Sequence, residues 1–161
     1  MTDKPLNTFG VDEKNKVVKP KAQKVIFGDM ESAEEIAKPL IKEHHPHLLT
    51  AIIKYRCRSK STKRSGNPVP GNVMKVADRI HDLVNADFLV EVALDVWNDL
   101  NPKQRIALID HLLTRLTGIE DEDSGEMRWN VQPPIVQEFP EVVARNGNWN
   151  DGLIDLEHSM R

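Results

Sequence analysis

The chain is expected to fold as an α+β domain, with a small mixed or antiparallel sheet packed against helices. Residues 50–58 alternate between apolar and basic side chains, which is typical of a half-buried strand. The run 87–97 is mostly apolar and suits a strand buried on both faces, although a helix also suits it. After Asn101-Pro102 the apolar residues recur at helical spacing, as expected of a helix that packs on this sheet.

Length and composition indicate one compact domain. The chain has 161 residues, of which 39% are hydrophobic and 29% are charged, so it can bury a sizeable core. The net charge of −3 gives no overall attraction to nucleic acid. Cys57 is the only cysteine, which excludes an internal disulfide and favours a reducing compartment. No apolar run approaches the roughly 20 residues that span a bilayer, and the N-terminus does not read as a signal peptide.

The domain organisation follows from the distribution of charge. Residues 1–24 contain six lysines and three acidic residues, which predicts a flexible lysine-rich arm. We expect the folded domain at 25–152 and a C-terminal tail at 153–161.

The first helix is predicted after residue 30. Ser32 and Glu35 form a capping-box pattern, and the helix should end near Pro46. Pro39 can lie inside this helix only with a kink.

The next segments complete the predicted sheet. The polar stretch 59–71 should be a loop or a hairpin tip, 72–76 a second strand and 77–84 a short helix. The acidic stretch 120–126 should be a solvated loop, and 135–145 a final helix.

The helix that begins at Pro102 contains the most informative motif. Its apolar stripe is predicted to comprise Ile106, Ile109, Leu113 and Leu116, with Leu108 and Leu112 beside it, and Gly118 should end it. Within this helix His111 is followed by Leu112 and, four residues on, by Arg115. A His-Glu-x-x-His helix would place a general base and a second zinc ligand at these two positions. Leucine cannot accept a proton, and a guanidinium repels a dication.

The order of the predicted elements resembles the phage metallopeptidase family, small zincin-like domains encoded in bacteriophage genomes. The resemblance covers about residues 30–152 and is clearest at 41–48, 87–97, 108–111, 138–143 and 146–150. It implies a minimal zincin-like fold, and a motif helix of the form Leu-x-Asp-His-Glu-Leu-x-His. Mapped onto this chain, the first ligand is His111, the general base falls on Leu112, the second ligand on Arg115 and a later His on Pro134.

The resemblance therefore implies a degenerate site with no catalytic residue and no cofactor, because one imidazole is too few ligands for zinc. Two alternatives stay open for Arg115. Its charge replaces that of the metal and pairs with Glu138 or Glu91, or the side chain lies exposed on the outer side of its helix.

A second candidate region is basic. Six cations fall within eleven residues: Lys54, Arg56, Arg58, Lys60, Lys63 and Arg64. They suit a solvated edge strand, a contact with an acidic protein surface, or a contact with phosphates. Only Tyr55 is aromatic here, so a base-stacking platform is not expected. Trp149 is the expected exposed anchor for a partner.

Other residues receive structural interpretations. His44, His45 and His47 should make polar contacts at a helix end, and His81 has no partner that the sequence identifies. Cys57 should point inward with Tyr55. Trp97 and Trp129 should belong to the core or its cover.

These observations predict a catalytically inactive, metallopeptidase-like protein in the cytoplasm of the bacterial host cell. It would bind a host or phage protein, for example as an inhibitor of a host defence system. The alternatives are a metal-dependent peptidase with a non-standard ligand set, and a nucleic-acid-associated protein that uses the basic strand. A homodimer is also compatible with the sequence, whereas a membrane partner is not expected.

Overall fold

The computed structural model describes residues 24–134 and 137–161, and its fold is α+β as predicted. The strands are β1 (Phe27–Asp29), β2 (Ile53–Arg58), β3 (Lys63–Arg64), β4 (Asn67–Pro68), β5 (Gly71–Lys75), β6 (Phe88–Ala93), β7 (Leu116–Glu120) and β8 (Met127–Val131). The helices are α1 (Glu31–His44), α2 (His81–Val84), α3 (Leu94–Trp97), α4 (Pro102–Thr114), α5 (Pro140–Asn146) and α6 (Asp151–Ser159). Short 3-10 turns occur at Pro46–Leu48 and Asp78–Ile80. Almost all of the predicted N-terminal arm (residues 1–23) lies outside the described residues.

The central sheet is mixed, with strand order β1-β2-β6-β5. Strands β2 and β6 are parallel, whereas β1 pairs with β2 and β5 pairs with β6 in the antiparallel sense. The basic strand β2 is therefore an interior strand. The interpretation of this segment as an edge strand is wrong, because β1 pairs with Arg56, Cys57 and Arg58 on its outer side.

One face of this sheet forms the core. Tyr55, Val90 and Val73 stand side by side across β2, β6 and β5, and helices α1 and α4 pack over them. The buried helix residues are Ala33 and Ala37 of α1, and Ile109, Leu112 and Leu113 of α4. Burial of these apolar side chains is the main force that holds the helices on the sheet. The opposite face carries Arg56, Glu91 and Asn72 in register.

Helix α1 begins differently from its prediction. The capping box of Ser32 and Glu35 is wrong, since the N-cap residue is Met30 and it makes no side-chain capping bond. The Met30 amide instead donates to the Tyr55 carbonyl oxygen at 3.1 Å, and the Met30 side chain is buried. The chain thus passes from β1 directly into the helix. The start of the helix is held by this backbone hydrogen bond to β2 and not by a side-chain cap. The helix continues through Pro39 to His44.

Helix α4 begins as predicted. The Asn101 side chain accepts from the Gln104 amide at 2.8 Å, and the Gln104 side chain accepts from the Asn101 amide at 3.0 Å. This reciprocal capping box satisfies two free N–H groups of the first turn. The predicted end of the helix is wrong, because α4 stops at Thr114.

The residues after α4 form a hairpin, β7–β8. Leu116, predicted on the helix stripe, is a buried residue of β7, and Ile106 of the same predicted stripe is 47% exposed. Gly118 is not a helix stop but a strand residue beneath the Trp129 ring. A Cβ on Gly118 would lie 2.5 Å from Trp129 Cε3, so glycine is required by packing here.

The remaining predictions for local structure are largely confirmed. Segment 59–71 contains the small β3–β4 hairpin, 77–84 contains short helical turns, and 120–126 joins β7 to β8. The apolar run 87–97 is a strand only as far as Ala93, after which α3 buries Trp97.

The C-terminal part is more helical than expected. Of the helix predicted at 135–145, residues 135–136 lie outside the description and α5 begins at Pro140. Most of the expected tail belongs to helix α6, whose Leu153 is buried.

Candidate functional site

The last turn of α4 presents the motif residues in two directions. His111 is exposed and Arg115 is half-buried, and both line one cleft of about 550 Å³. Leu112, at the position implied for the general base, points into the core and is 1% exposed. The helical spacing of 111 and 115 explains why these two side chains share a face whereas 112 does not.

Leu112 is held in place by the sheet. A Cβ built on Gly71 would lie 2.9 Å from Leu112 Cδ1 and 2.9 Å from the Glu91 carbonyl oxygen. The absence of a side chain at Gly71 therefore lets Leu112 pack directly against the start of β5. The apolar packing predicted for Leu112 and Leu113 is confirmed, since both are almost fully buried.

The cleft is bounded by α4, the segment after β8 and helix α6. Its lining residues are His111, Thr114, Arg115, Gln132, Pro133, Pro134, Gly152, Asp155, Leu156 and Ser159. His111, Arg115 and Pro134 are the three positions to which the resemblance assigns metal ligands. The structure brings all three together, although only His111 retains a ligand side chain.

The residues of this cleft do not suit a zinc ion. Zinc sites use three or four protein ligands, and Arg115 places a permanent cation where the second ligand would be. Asp155 is a carboxylate on the α6 side of the cleft. Across the described ranges, no group of three or more His, Cys, Asp or Glu side chains is arranged to hold a metal ion.

The predicted pairing of Arg115 with Glu138 or Glu91 is wrong. The Arg115 Nε donates to the Gln132 carbonyl oxygen at 3.3 Å, and Nη1 donates to Asn72 Oδ1 at 3.4 Å. Glu91 forms an ion pair with Arg58 at 3.5 Å instead. The strand register explains this choice, because Glu91 lies beside β2 on the open face of the sheet.

The histidines near the end of α1 are structural. His45 is 7% exposed, and its Nε2 lies 2.7 Å from Asp110 Oδ1 on α4. His47 Nε2 lies 2.9 Å from the Leu116 carbonyl oxygen. The predicted polar contacts are thus confirmed for these two residues, and they tie the end of α1 to α4 and β7. Asp110 points away from the cleft, as predicted.

His81 has a partner that the sequence did not identify. Its Nε2 lies 2.9 Å from Asp87 Oδ1, and Asp87 Oδ2 accepts from the Ile52 amide at 2.7 Å. The hydrogen bond to Asp87 raises the pKa of His81 above its ordinary value, and the charges of Asp87 and Asp82 act in the same direction. This pair fixes α2 to the start of β6.

The basic surface comprises Lys54, Arg56, Arg58, Lys60, Lys63 and Arg64. The guanidinium carbons of Arg56 and Arg58 each lie 5.6 Å from the centroid of the Phe27 ring. Arg58 Nε also donates to the Lys60 carbonyl oxygen at 2.6 Å. The two arginines are therefore held by β1 and by the loop that follows β2.

The β3–β4 hairpin extends this surface. Lys63 and Arg64 are exposed, and together with Arg58 they line a cavity of about 250 Å³. The hairpin is anchored by Asp95, whose carboxylate accepts from the Ser61 amide at 2.9 Å and from the Ser61 hydroxyl at 2.8 Å. The hydrogen bond from the Ser61 backbone amide lowers the pKa of Asp95, and the bond from the Ser61 hydroxyl acts in the same direction. The structure thus brings together cations from β2 and from the hairpin.

The other singled-out residues lie apart from the cleft. Trp149 is 57% exposed, before α6. Trp129 packs edge-on against Phe88, with ring centroids 5.6 Å apart. Cys57 is half-buried beside β1.

Sequence reasoning missed several cleft residues. No sequence motif marks the residues that meet Arg115 or line the cleft opposite it, because they come from three separate segments. These residues are Asn72 of β5, Gln132 after β8 and Asp155 of α6. Only the tertiary fold brings these segments to α4.

A mixed sheet backed by the motif helix, whose motif face opens into a cleft, is the arrangement that the resemblance implies. The family model described as putative phage metallopeptidase matches residues 26–157, which is most of the chain, and the protein belongs to this family. No curated protein and no solved structure matches the chain. Among the described residues, no helix has the length and apolar character needed to cross a membrane.

Proposed function

We propose that this chain is a catalytically inactive member of its family that acts by binding a partner protein. The observation that carries the proposal is the direction of Leu112. The position implied for the general base holds an aliphatic side chain that is 1% exposed and packed on Gly71. A side chain in this place neither contacts the cleft nor accepts a proton from water.

The neighbouring positions support the same conclusion. His111 offers one imidazole to the cleft, and Arg115 offers a guanidinium four residues away. One ligand beside a fixed positive charge binds zinc weakly. The core of α4 is independent of this site, because Ile109, Leu112 and Leu113 hold the helix on the sheet. Loss of the metal therefore leaves the fold available for another use.

The basic surface is the partner-binding site that we favour, with Trp149 as a second candidate. The cations of the basic surface alternate with carboxylates, since Arg56 has Asp29 and Glu91 as its neighbours on the two adjacent strands. Interleaved carboxylates repel a continuous phosphate backbone, and the net charge of −3 opposes long-range attraction to nucleic acid. An acidic protein surface with separated carboxylates suits this mixed pattern better.

The family's bacteriophage setting makes a host or phage protein in the bacterial cytoplasm the natural partner. Inhibition of a host defence complex by occupancy is one such use, and a homodimer is another arrangement that the surface permits.

The metal-free state is tested by zinc analysis and proteolysis. We expect the purified protein to contain far less than one zinc per chain and to show no chelator-sensitive cleavage of casein. The variant Arg115→His/Pro134→His, which restores imidazoles at two cleft positions, should bind zinc. The control Lys103→His/Arg145→His adds the same groups at exposed positions outside the cleft and should not. Stoichiometric zinc in the unmutated chain, with cleavage that chelators abolish, contradicts the proposal.

The binding surface is tested by charge reversal. Affinity purification from phage-infected cells should recover a partner with the unmutated chain and much less of it with Arg56→Glu/Lys63→Glu. The control Arg79→Glu/Lys103→Glu makes the same charge change at exposed positions and should leave recovery unchanged. Equal recovery with both variants removes the basic surface from the proposal. Salt-dependent binding of duplex DNA that only the first variant loses supports the nucleic-acid alternative instead.

A further inference from the structure

Arg115 is a half-buried cation that has no counter-ion among the described residues. Its two hydrogen bonds are long, at 3.3 and 3.4 Å, and both acceptors are neutral: the Gln132 carbonyl and the Asn72 side-chain amide. Over residues 24–134 and 137–161 it forms no ion pair, so no carboxylate of the described chain balances its charge. A guanidinium has five N–H donors, so most of its hydrogen-bonding capacity stays available toward the cleft.

The polar groups around Arg115 are already engaged with one another. The Thr114 hydroxyl donates to the Asp110 carbonyl oxygen at 2.7 Å, and Gln132 Nε2 donates to the Thr114 carbonyl oxygen at 2.9 Å. His111 and Arg115 are the two basic side chains that this wall presents to a ligand, and Arg115 is the one with a permanent positive charge. Pro133, Pro134 and Leu156 supply apolar surface beside them, and the cleft volume of about 550 Å³ is large enough for a short peptide segment.

We propose that this cleft binds the C-terminal carboxylate of a peptide whose last residues are apolar. A carboxylate pairs with a planar guanidinium through two parallel N–H···O bonds, which neutral acceptors cannot match. The apolar residues that precede it would lie against Pro133, Pro134 and Leu156. Asp155 on the α6 side disfavours further negative charge on the ligand and can accept from its backbone amides.

A chain terminus is the source to which the cleft is best suited. It brings one negative charge at the end of the segment, so the rest of the ligand can be uncharged, as Asp155 and the apolar wall require. Capture of a terminal carboxylate is a recurring mode of peptide recognition. The proposal rests on the metal-free cleft of the proposed function, because a zinc ion at His111 would occupy the same space.

The test compares three probe peptides by calorimetry and by NMR titration of metal-analysed protein. The probes are acetyl-Ala-Pro-Leu with a free carboxylate, the same peptide as its C-terminal amide, and acetyl-Ala-Glu-Leu amide. We expect the free acid to bind at least about tenfold more tightly than the amide, which is the usual order for a hydrogen-bonded charge. Addition of the acid should also shift the Arg115 Nε–H resonance, which needs no variant.

Arg115→Gln keeps a donor but removes the charge, and should abolish the difference between acid and amide. Arg145→Gln, an exposed arginine on α5, is the matched control and should preserve it. Should Arg115→Gln not fold, the resonance shift in the unmutated protein decides. Equal binding of acid and amide, no saturable binding of the acid, or a difference that survives Arg115→Gln overturns the proposal. Tighter binding of the internal Glu peptide overturns the assignment to a terminus. Zinc found in the starting protein is a failure of the proposed function instead.

Discussion

The two sides of the last turn of α4 differ in what they do for the molecule. Leu112 and Leu113 are almost fully buried against the sheet, whereas His111 and Arg115 line an open cleft. These four residues lie within five consecutive positions. In a metallopeptidase helix one side supports the fold and the other the chemistry. Here the buried leucines carry the first role, and the loss of the second is what we propose. The comparison teaches that the fold does not depend on the groups that a metal would need.

The same comparison explains why Arg115 is tolerated. A charge on the core side would be left unpaired among apolar side chains at a cost of several kcal/mol. On the cleft side it is half-buried, can reach solvent, and finds two neutral acceptors. The cleft side can therefore change its residues without loss of the fold.

The largest expected effect comes from removing a core side chain. Leu113→Ala leaves a cavity at a fully buried position and should lower the free energy of unfolding by about 2–5 kcal/mol. His111→Ala, on the exposed side of the same turn, should change it by no more than about 0.5 kcal/mol. Urea unfolding followed by circular dichroism measures both. Similar losses for the two variants would break the comparison and show that the cleft side also supports the fold.

Much of the fold follows from local sequence signals. The start of α4 is set by Asn101, Pro102 and Gln104, whose capping groups lie within four residues of one another. The alternation in 50–58 predicts β2, because period 2 directly reflects which side chains face the core. The errors occur where distant contacts decide. Helix α1 begins after Met30 and not at the predicted capping box, because the Met30 amide donates a hydrogen bond to the carbonyl of Tyr55, which is distant in sequence.

The candidate site was predictable only in part. Spacing alone places His111 and Arg115 on one face, and the resemblance adds Pro134 to the set. The partners of Arg115 were not predictable, since Asn72 and Gln132 meet it only after the sheet and the β7–β8 hairpin have formed. Glu91 was a reasonable ionic partner by charge, but the parallel register of β2 and β6 assigns it to Arg58.

An intermediate effect is expected at Gly118, which was misread as a helix stop. Gly118→Ala places a methyl group 2.5 Å from Trp129 Cε3 and should destabilise the protein by about 1–3 kcal/mol. Gly28→Ala is the control in another strand, because its methyl group would lie 3.7 Å from Cys57 Sγ, an ordinary contact. Thermal unfolding compares the two variants. An unchanged Gly118→Ala protein would mean that the hairpin beside the cleft adapts freely and that its glycine is not required by packing.

The smallest expected effect concerns the partly exposed ion pair of His81 and Asp87, and it extends the comparison of core and surface positions to a titratable group. The hydrogen bond that His81 donates to Asp87 raises the pKa of His81 above its ordinary value of 6.5. The folded state therefore holds this proton more tightly than the unfolded state does. The stabilisation is fully present below about pH 6.5 and is lost as the pH rises through the higher pKa of the folded state.

The His81→Gln variant should accordingly be less stable than the unmutated protein below pH 6.5, and the two should converge as the pH rises above that value. The matched control is His158→Gln, an exposed histidine on α6, which should keep the pH dependence of the unmutated protein. The measurement is a series of thermal unfolding curves between about pH 5 and 9, at intervals of about one pH unit. A gap between His81→Gln and the unmutated protein that widens with rising pH would mean that Asp87 does not hold the protonated ring. In that event the link between α2 and β6 depends on the neutral imidazole.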